Sequence, residues 1–120
     1  MASEKYAIID AHIHLDLYTE EEQEQILSSL AEERVEALVS VAKNLFSCRE
    51  LLRPKQLAPT VVYPAFGFHP EQPLPDEAEI RTLMEWIREH HEHMVAIGEV
   101  GLPYYRRKEA ERQGESFELK

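Results

Sequence analysis

The sequence has a single cysteine, Cys48, and no apolar run long enough to cross a bilayer. One cysteine excludes an intramolecular disulfide, and its neighbours Ser47 and Arg49 give little reason to regard it as an activated nucleophile, so we interpret it as an inert thiol. A membrane span needs about 20 consecutive apolar residues, and the N-terminus lacks the pattern of a secretory signal. We therefore expect a cytoplasmic protein without membrane contacts.

Basic residues are also scarce. The chain has 13 Lys and Arg against 23 Asp and Glu, which gives a formal net charge of −10. This balance excludes a broad basic surface that would neutralise a nucleic-acid backbone, so any phosphate-bearing substrate must be held locally. The 43% hydrophobic and 30% charged residues are typical of one globular domain with a modest core.

Four short apolar segments predict β-strands. They cover residues 6–11, 37–42, 60–67 and 95–98. The first has the continuous apolar character of a strand buried on both faces. Pro64 in the third indicates a bulge or an early strand end, because proline cannot donate a hydrogen bond to a neighbouring strand.

A helical segment follows each predicted strand. Thr19 and Glu22 have the spacing of a capping box, which predicts the start of the first helix. The second helix is predicted over 45–52 and should end before Pro54, and Asp76 is the expected N-cap of the third. A fourth helix is predicted over residues 109–120, without a glycine cap. Strands alternating with helices imply parallel (β/α) repeats and an α/β fold.

Histidines and a glutamate stand at the ends of these strands. His12 and His14 follow the first strand, and the strand period of two points both imidazoles to one side, where they can bind one metal ion. Glu99 follows the fourth strand and lies between two glycines. Packing gives little reason for an acidic residue directly after an apolar strand, so we assign Glu99 a metal-binding or catalytic role. His69 follows the third strand and either joins this site or only bonds a backbone carbonyl. Asp16 could orient an imidazole.

Ligands of parallel α/β folds gather at the carboxyl ends of the strands, which favours one shared site for these residues. The alternative is that His12 and His14 are only polar residues at a strand end and bind no metal. Imidazole suits zinc, and a carboxylate extends the choice to manganese or magnesium. Three further histidines at the end of the third helix are interpreted as structural: His90, His91 and His93.

Three motifs together resemble the TatD family of metal-dependent deoxyribonucleases. They are Ile-Asp-Ala-His-Ile-His-Leu-Asp at 9–16, Gly-Phe-His-Pro at 67–70 and Ala-Ile-Gly-Glu-Val-Gly-Leu at 96–102. The resemblance implies a TIM-type (β/α) barrel about twice as long as this chain. Residues 1–120 would then be the N-terminal part of a single barrel domain, ending within or near its fourth helix.

The resemblance also implies roles for individual residues. His12, His14 and Glu99 match metal ligands, Glu99 being the catalytic carboxylate that binds or bridges one or two divalent ions of zinc, magnesium or manganese. His69 matches a pocket histidine that contacts substrate phosphate. The implied reaction is hydrolysis of a phosphodiester, with DNA as one candidate substrate and no obligate protein partner.

The chain departs from the family pattern in two ways. Two later histidines and an aspartate have no counterparts here, and Pro103 stands where many relatives have aspartate. We therefore expect the 120-residue chain alone to be weakly active or inactive, and to self-associate through open sheet edges. Two alternatives stay open: a non-catalytic metal-binding half-barrel, and an amidohydrolase that cleaves C–N bonds, which a bridging lysine in place of Glu99 would favour.

Overall fold

The computed structural model describes residues 6–114. The strands are β1 (Ile8–Ile13), β2 (Val35–Val41), β3 (Val62–Phe66) and β4 (Ala96–Ile97). The α-helices are α1 (Glu20–Ser29), α2 (Leu45–Glu50), α3 (Leu52–Leu57), α4 (Glu77–Glu89) and α5 (Tyr104–Arg112). Short 3-10 helices cover Leu15–Leu17 and His91–His93. No helix in this described part of the chain is long and apolar enough to cross a membrane.

The four strands form one parallel sheet in the order β1-β2-β3-β4. The sheet curls as in half of a TIM-type barrel, which confirms the predicted α/β fold of parallel (β/α) repeats. Because all strands run in one direction, their carboxyl ends lie at one end of the sheet. Except for the three histidines after α4, every candidate site residue lies at the end of a strand or in the loop that follows it.

The prediction that β1 is buried on both faces is wrong. Ile8 and Ile9 are 53% and 59% exposed, whereas most of β2 and β3 is buried. The reason is position in the sheet, since β1 has only β2 as a described neighbour while β2 and β3 each have two. The apolar run in β1 therefore lies at an edge of the sheet that the described residues form.

The core lies between the sheet and the helices. Leu38 of β2 and Val62 and Phe66 of β3 pack against Leu83 and Trp86 of α4. The Phe66 and Trp86 rings meet edge to face with centroids 4.9 Å apart, a favourable geometry for aromatic pairs. This contact fixes α4 over β3 and so sets where the loop between them leaves the sheet.

Both predicted helix caps are confirmed. Thr19 and Glu22 form a reciprocal capping box at α1, and the Asp76 carboxylate accepts a hydrogen bond from the Glu79 N–H at the start of α4. These bonds satisfy backbone donors that a helix start otherwise leaves free.

Neither proline has the predicted effect. Pro54 does not end the second helical segment but lies in the first turn of α3, where a helix needs no N–H donor. Pro64 lies inside β3, and the β2–β3 register runs through it without a shift. The Pro64 carbonyl accepts from the Val95 N–H, so its missing donor faces only the beginning of the short strand β4.

The predicted last helix is misplaced. The structure has α5 at Tyr104–Arg112, and Gly114 follows it with a φ of 73°. A positive φ just after a helix is the usual glycine stop, so the expectation of a helix without a glycine cap is wrong. The remainder of the predicted helix, residues 115–120, lies outside the described residues.

Candidate metal centre

The curl of the sheet brings its two edge strands together at one end. His12 and His14 lie at the end of β1, and Glu99 lies two residues beyond β4. His12 Nε2 is 2.9 Å from Glu99 Oε1, and His14 Nε2 is 3.8 Å from the same oxygen. The predicted convergence of the strand ends is therefore present in the structure.

The three side chains offer a compact set of ligand atoms. The Nε2 atoms of His12 and His14 lie 3.3 Å apart with their rings nearly perpendicular. One ligand atom from each of His12, His14 and Glu99 can be chosen so that all lie within 4.8 Å of one another. Two imidazoles and a carboxylate are a donor set that zinc, manganese and other divalent ions accept.

A backbone carbonyl orients the His14 ring. His14 Nδ1 is 2.7 Å from the carbonyl oxygen of Val41, at the end of β2. Since a carbonyl oxygen only accepts, Nδ1 carries the proton and donates it. Nε2 then presents a lone pair towards His12 and Glu99, which is the arrangement that metal-binding histidines usually have.

The Glu99 carboxylate is mostly enclosed, with 18% of its side chain exposed. Its Oε2 atom is buried and lies 3.0 Å from His69 Nε2. Keeping the carboxylate charge of Glu99 away from water is costly unless positive charge lies beside it. A cation between Glu99 and the two imidazoles would offset this cost, so these residues fit a divalent ion.

Gly67 allows the ends of β3 and β4 to approach closely. A Cβ atom at Gly67 would lie 2.1 Å from the carbonyl oxygen of Gly98 and 2.9 Å from the Glu99 nitrogen. Real Cβ atoms do not tolerate such distances, so only glycine fits here. The close contact fixes the backbone that carries the Glu99 side chain.

The His69 ring has the opposite tautomer to His14. The Glu71 N–H donates to His69 Nδ1 at 3.1 Å, so Nδ1 is the acceptor and Nε2 carries the proton. His69 thus presents an N–H towards Glu99 Oε2 and the centre, not a lone pair. The structure places His69 beside the metal centre as a donor; its contact with substrate stays a prediction.

Asp16 does not contact either imidazole by a hydrogen bond, and Val41 performs the orienting role considered for it. The Asp16 Oδ1 atom is buried and has no hydrogen-bond partner within residues 6–114. Burial raises the pKa of the Asp16 carboxyl above its ordinary value, although a backbone hydrogen bond and the nearby Lys43 partly oppose that shift.

A family model described as TatD related DNase matches residues 9–119, and so includes all four site residues. The chain belongs to the TatD family. It is similar to a Haemophilus influenzae protein named as an uncharacterized metal-dependent hydrolase, with 44% identity over 102 residues. The aligned region covers 85% of this chain and 39% of that relative.

Within this TatD-family chain, Glu71 caps the start of α5. Pro103 occupies the N-cap position of α5 and offers no side-chain acceptor. The Glu71 carboxylate instead accepts from the backbone N–H groups of Tyr105 and Arg106, each at 3.0 Å. A carboxylate from the loop after β3 therefore caps the helix start, and it ties that loop to the loop after Glu99.

Two buried polar residues that sequence analysis missed also support the centre. Leu15, directly after His14, donates its N–H to Ser40 Oγ at 3.1 Å, and its carbonyl accepts from the Gln23 amide at 2.8 Å. These bonds fix the turn that follows the histidine pair. The sequence signal for them is a polar residue at a position where the pattern of the strand or helix favours an apolar one. Ser40 interrupts the apolar run of β2, and Gln23 lies on the core side of α1.

The other histidines and the cysteine lie elsewhere in the TatD-family fold. His90 stacks on Trp86 with ring centroids 4.0 Å apart, and His91 Nδ1 contacts the Arg88 carbonyl. Among the described residues, the only cluster suited to a metal is the one at Glu99. Cys48 is buried, and this burial raises the pKa of its thiol to about 11, which favours the interpretation as an inert thiol.

Proposed function

We propose that the chain supplies the first ligands of a divalent-metal-dependent hydrolase that cleaves phosphodiester bonds, of the deoxyribonuclease type. The observation that carries the proposal is the meeting of His12, His14 and Glu99 at one end of a parallel sheet. Membership in the TatD family and the metal-dependent hydrolase name of the similar protein support it. The cytoplasmic location stays a prediction.

His12, His14 and Glu99 would hold one divalent ion, of zinc, manganese or magnesium. When bound, such an ion supplies positive charge that polarises a phosphoryl oxygen and activates water. The two carboxylate oxygens of Glu99 point to different neighbours, Oε1 to the imidazoles and Oε2 towards His69. Glu99 is therefore suited to bridge to a second ion if further ligands are brought to it.

His69 favours an anionic substrate over a neutral one. Its Nε2–H faces the metal centre and can donate to a phosphate oxygen, as the family resemblance implies for this position. The acidic balance of the chain is compatible with this substrate, because the metal charge and a few local donors replace a basic surface. A phosphodiester would use both the metal and this donor.

One alternative is metal binding without turnover. The described residues gather three protein ligands at the centre, which suffices to hold an ion. The C–N hydrolase alternative is less well supported, because the end of β4 carries Glu99 and not a bridging lysine.

Binding of dimethyl phosphate, a phosphodiester that resists hydrolysis, tests the proposal on this chain. Manganese bound at the centre should enhance the ³¹P relaxation of the diester, because the phosphate oxygen would approach the paramagnetic ion. The effect should disappear with EDTA. Relaxation that is the same with and without the chain would contradict phosphodiester recognition.

Two variants separate substrate contact from metal contact. His69→Ala should weaken diester binding by about tenfold, the loss of one hydrogen bond to a charged group, while manganese still binds, because His12, His14 and Glu99 keep their ligand atoms. His91→Ala is the matched control, because His91 lies on the short helix after α4. A His69→Ala variant that loses manganese instead would assign His69 to metal binding.

A further inference from the structure

Glu71 contacts two parts of the metal-centre end of the sheet through two different groups. Its backbone N–H donates to Nδ1 of His69 at 3.1 Å. Its carboxylate accepts from the backbone N–H groups of Tyr105 and Arg106, each at 3.0 Å. The Arg106 guanidinium also reaches the Glu71 carbonyl oxygen at 3.4 Å. One residue therefore connects the ring of His69 with the start of α5.

The start of α5 anchors the Glu71 side chain. Tyr105 and Arg106 are the second and third residues of the helix, which begins at Tyr104. Their N–H groups are the donors that an N-cap side chain normally satisfies, and Pro103 at the N-cap has no side-chain acceptor. A charged carboxylate at the positive end of a helix also interacts favourably with the helix dipole. Two charge-assisted hydrogen bonds therefore hold the Glu71 carboxylate in one place.

The ring of His69 depends on Glu71 for its contact at Nδ1. The backbone of His69 is held separately, because its N–H donates to the Lys43 carbonyl at 2.8 Å and the Gln72 amide contacts the Lys43 and His69 carbonyls. None of these backbone contacts sets the rotation of the ring. The Glu71 N–H does so, and it directs the ring's Nε2–H towards Glu99 Oε2, 3.0 Å away.

We propose that Glu71 is a positioning residue for substrate binding, which holds the His69 N–H in one orientation by anchoring its own side chain on α5. The inference rests on the proposed function, in which His69 Nε2–H donates to a phosphodiester oxygen beside the metal. While the carboxylate is anchored, the Glu71 N–H cannot turn away from the His69 ring. Without the anchor, the ring must be ordered when substrate binds, and this ordering costs affinity.

Two substitutions separate anchoring of the loop from capping of the helix. Glu71→Ala removes the carboxylate and keeps the backbone N–H of residue 71. Adding Pro103→Asp gives α5 a local N-cap acceptor, so the helix is capped again while the loop stays unanchored. Asp76→Ala is the matched control, because it removes the carboxylate that caps a different helix, α4.

The scalar coupling across the N–H···N hydrogen bond tests the proposal by NMR on the metal-free chain, without substrate. The wild type and Asp76→Ala should show a coupling between the amide nitrogen of residue 71 and Nδ1 of His69. Glu71→Ala/Pro103→Asp should lose this coupling, because the amide no longer faces the ring. A coupling that persists in the double variant would overturn the proposal, whatever the diester experiments give.

Binding of dimethyl phosphate to the manganese-loaded chain measures the consequence for substrate. Glu71→Ala/Pro103→Asp should weaken diester binding about three- to tenfold, up to the loss expected for His69→Ala, while manganese still binds. Asp76→Ala should bind the diester as the wild type does. In a His69→Ala background the double variant should cause no further loss beyond about twofold, because Glu71 acts through the His69 ring.

Three outcomes of the binding experiment have distinct meanings. Wild-type diester binding in Glu71→Ala/Pro103→Asp would show that Glu71 only caps α5, and would overturn the positioning role. A large further loss in the His69→Ala background would overturn it as well, because Glu71 would then act independently of His69. A wild-type chain that binds no dimethyl phosphate would contradict the proposed function instead, and the scalar coupling would still decide whether Glu71 holds the ring.

Discussion

Glu99→Gln should weaken zinc binding by at least about 100-fold, more than the loss of a group that only supports a ligand. The substitution keeps the size of the side chain and removes the negative charge that faces both imidazoles. It also gives the buried Oε2 position either an amide nitrogen or a neutral oxygen. Competition against a chromophoric zinc chelator measures the affinity directly.

The control for this variant is Glu79→Gln. Glu79 is exposed in the first turn of α4, so the same chemical change there should leave zinc affinity unchanged. Equal zinc affinities for Glu99→Gln and the wild type would show that the carboxylate is not a ligand. Unfolding curves of the zinc-free proteins should nearly coincide, because Glu99 lies after β4 and outside the hydrophobic core.

Gly67→Ala should damage both folding and the metal centre. The added methyl carbon would lie 2.1 Å from the Gly98 carbonyl oxygen, so the β3 and β4 ends must move apart. Forcing atoms into a packed site costs about 1–3 kcal/mol. Zinc affinity should fall by about tenfold or more, because Glu99 moves with its backbone while His12 and His14 stay on β1.

Gly101→Ala provides the matched comparison, because a Cβ there would meet Pro70 at an ordinary 3.6 Å. This variant should keep wild-type stability and zinc affinity. Urea unfolding of the zinc-free proteins and zinc competition separate the two effects. A Gly67→Ala chain that behaves like Gly101→Ala would show that the β3 and β4 ends do not meet as described.

Local patterns sufficed for much of the fold. The apolar segments, the capping box at Thr19 and the cap at Asp76 depend on neighbours in sequence, and the structure confirms them. The exposure of β1 could not be predicted in this way, because burial depends on which strands stand beside it. The predictions for Pro54 and Pro64 were wrong for a related reason. A proline that lacks an N–H destabilises a helix or sheet only where a hydrogen-bond acceptor would face that N–H, and this depends on the surrounding structure.

The candidate site, too, could be predicted from the sequence only in part. His12, His14 and Glu99 were visible because ionisable residues after apolar strands are unusual, and the structure brings them together. The groups that set their chemistry were not visible, since Val41 acts through its carbonyl oxygen and Glu71 through its N–H. Any residue type offers those backbone groups, and only the three-dimensional approach of distant segments gives them a role.

X-ray absorption at the zinc edge of the zinc-loaded chain tests the central claim most directly, since it counts and identifies the ligand atoms. The account predicts two imidazole ligands and oxygen donors at about 2.0–2.1 Å, with the imidazole signal lost in His12→Ala/His14→Ala and kept in His91→Ala. Sulfur in the ligand shell, or an imidazole signal that survives His12→Ala/His14→Ala and disappears in His91→Ala, would place the metal elsewhere and contradict it.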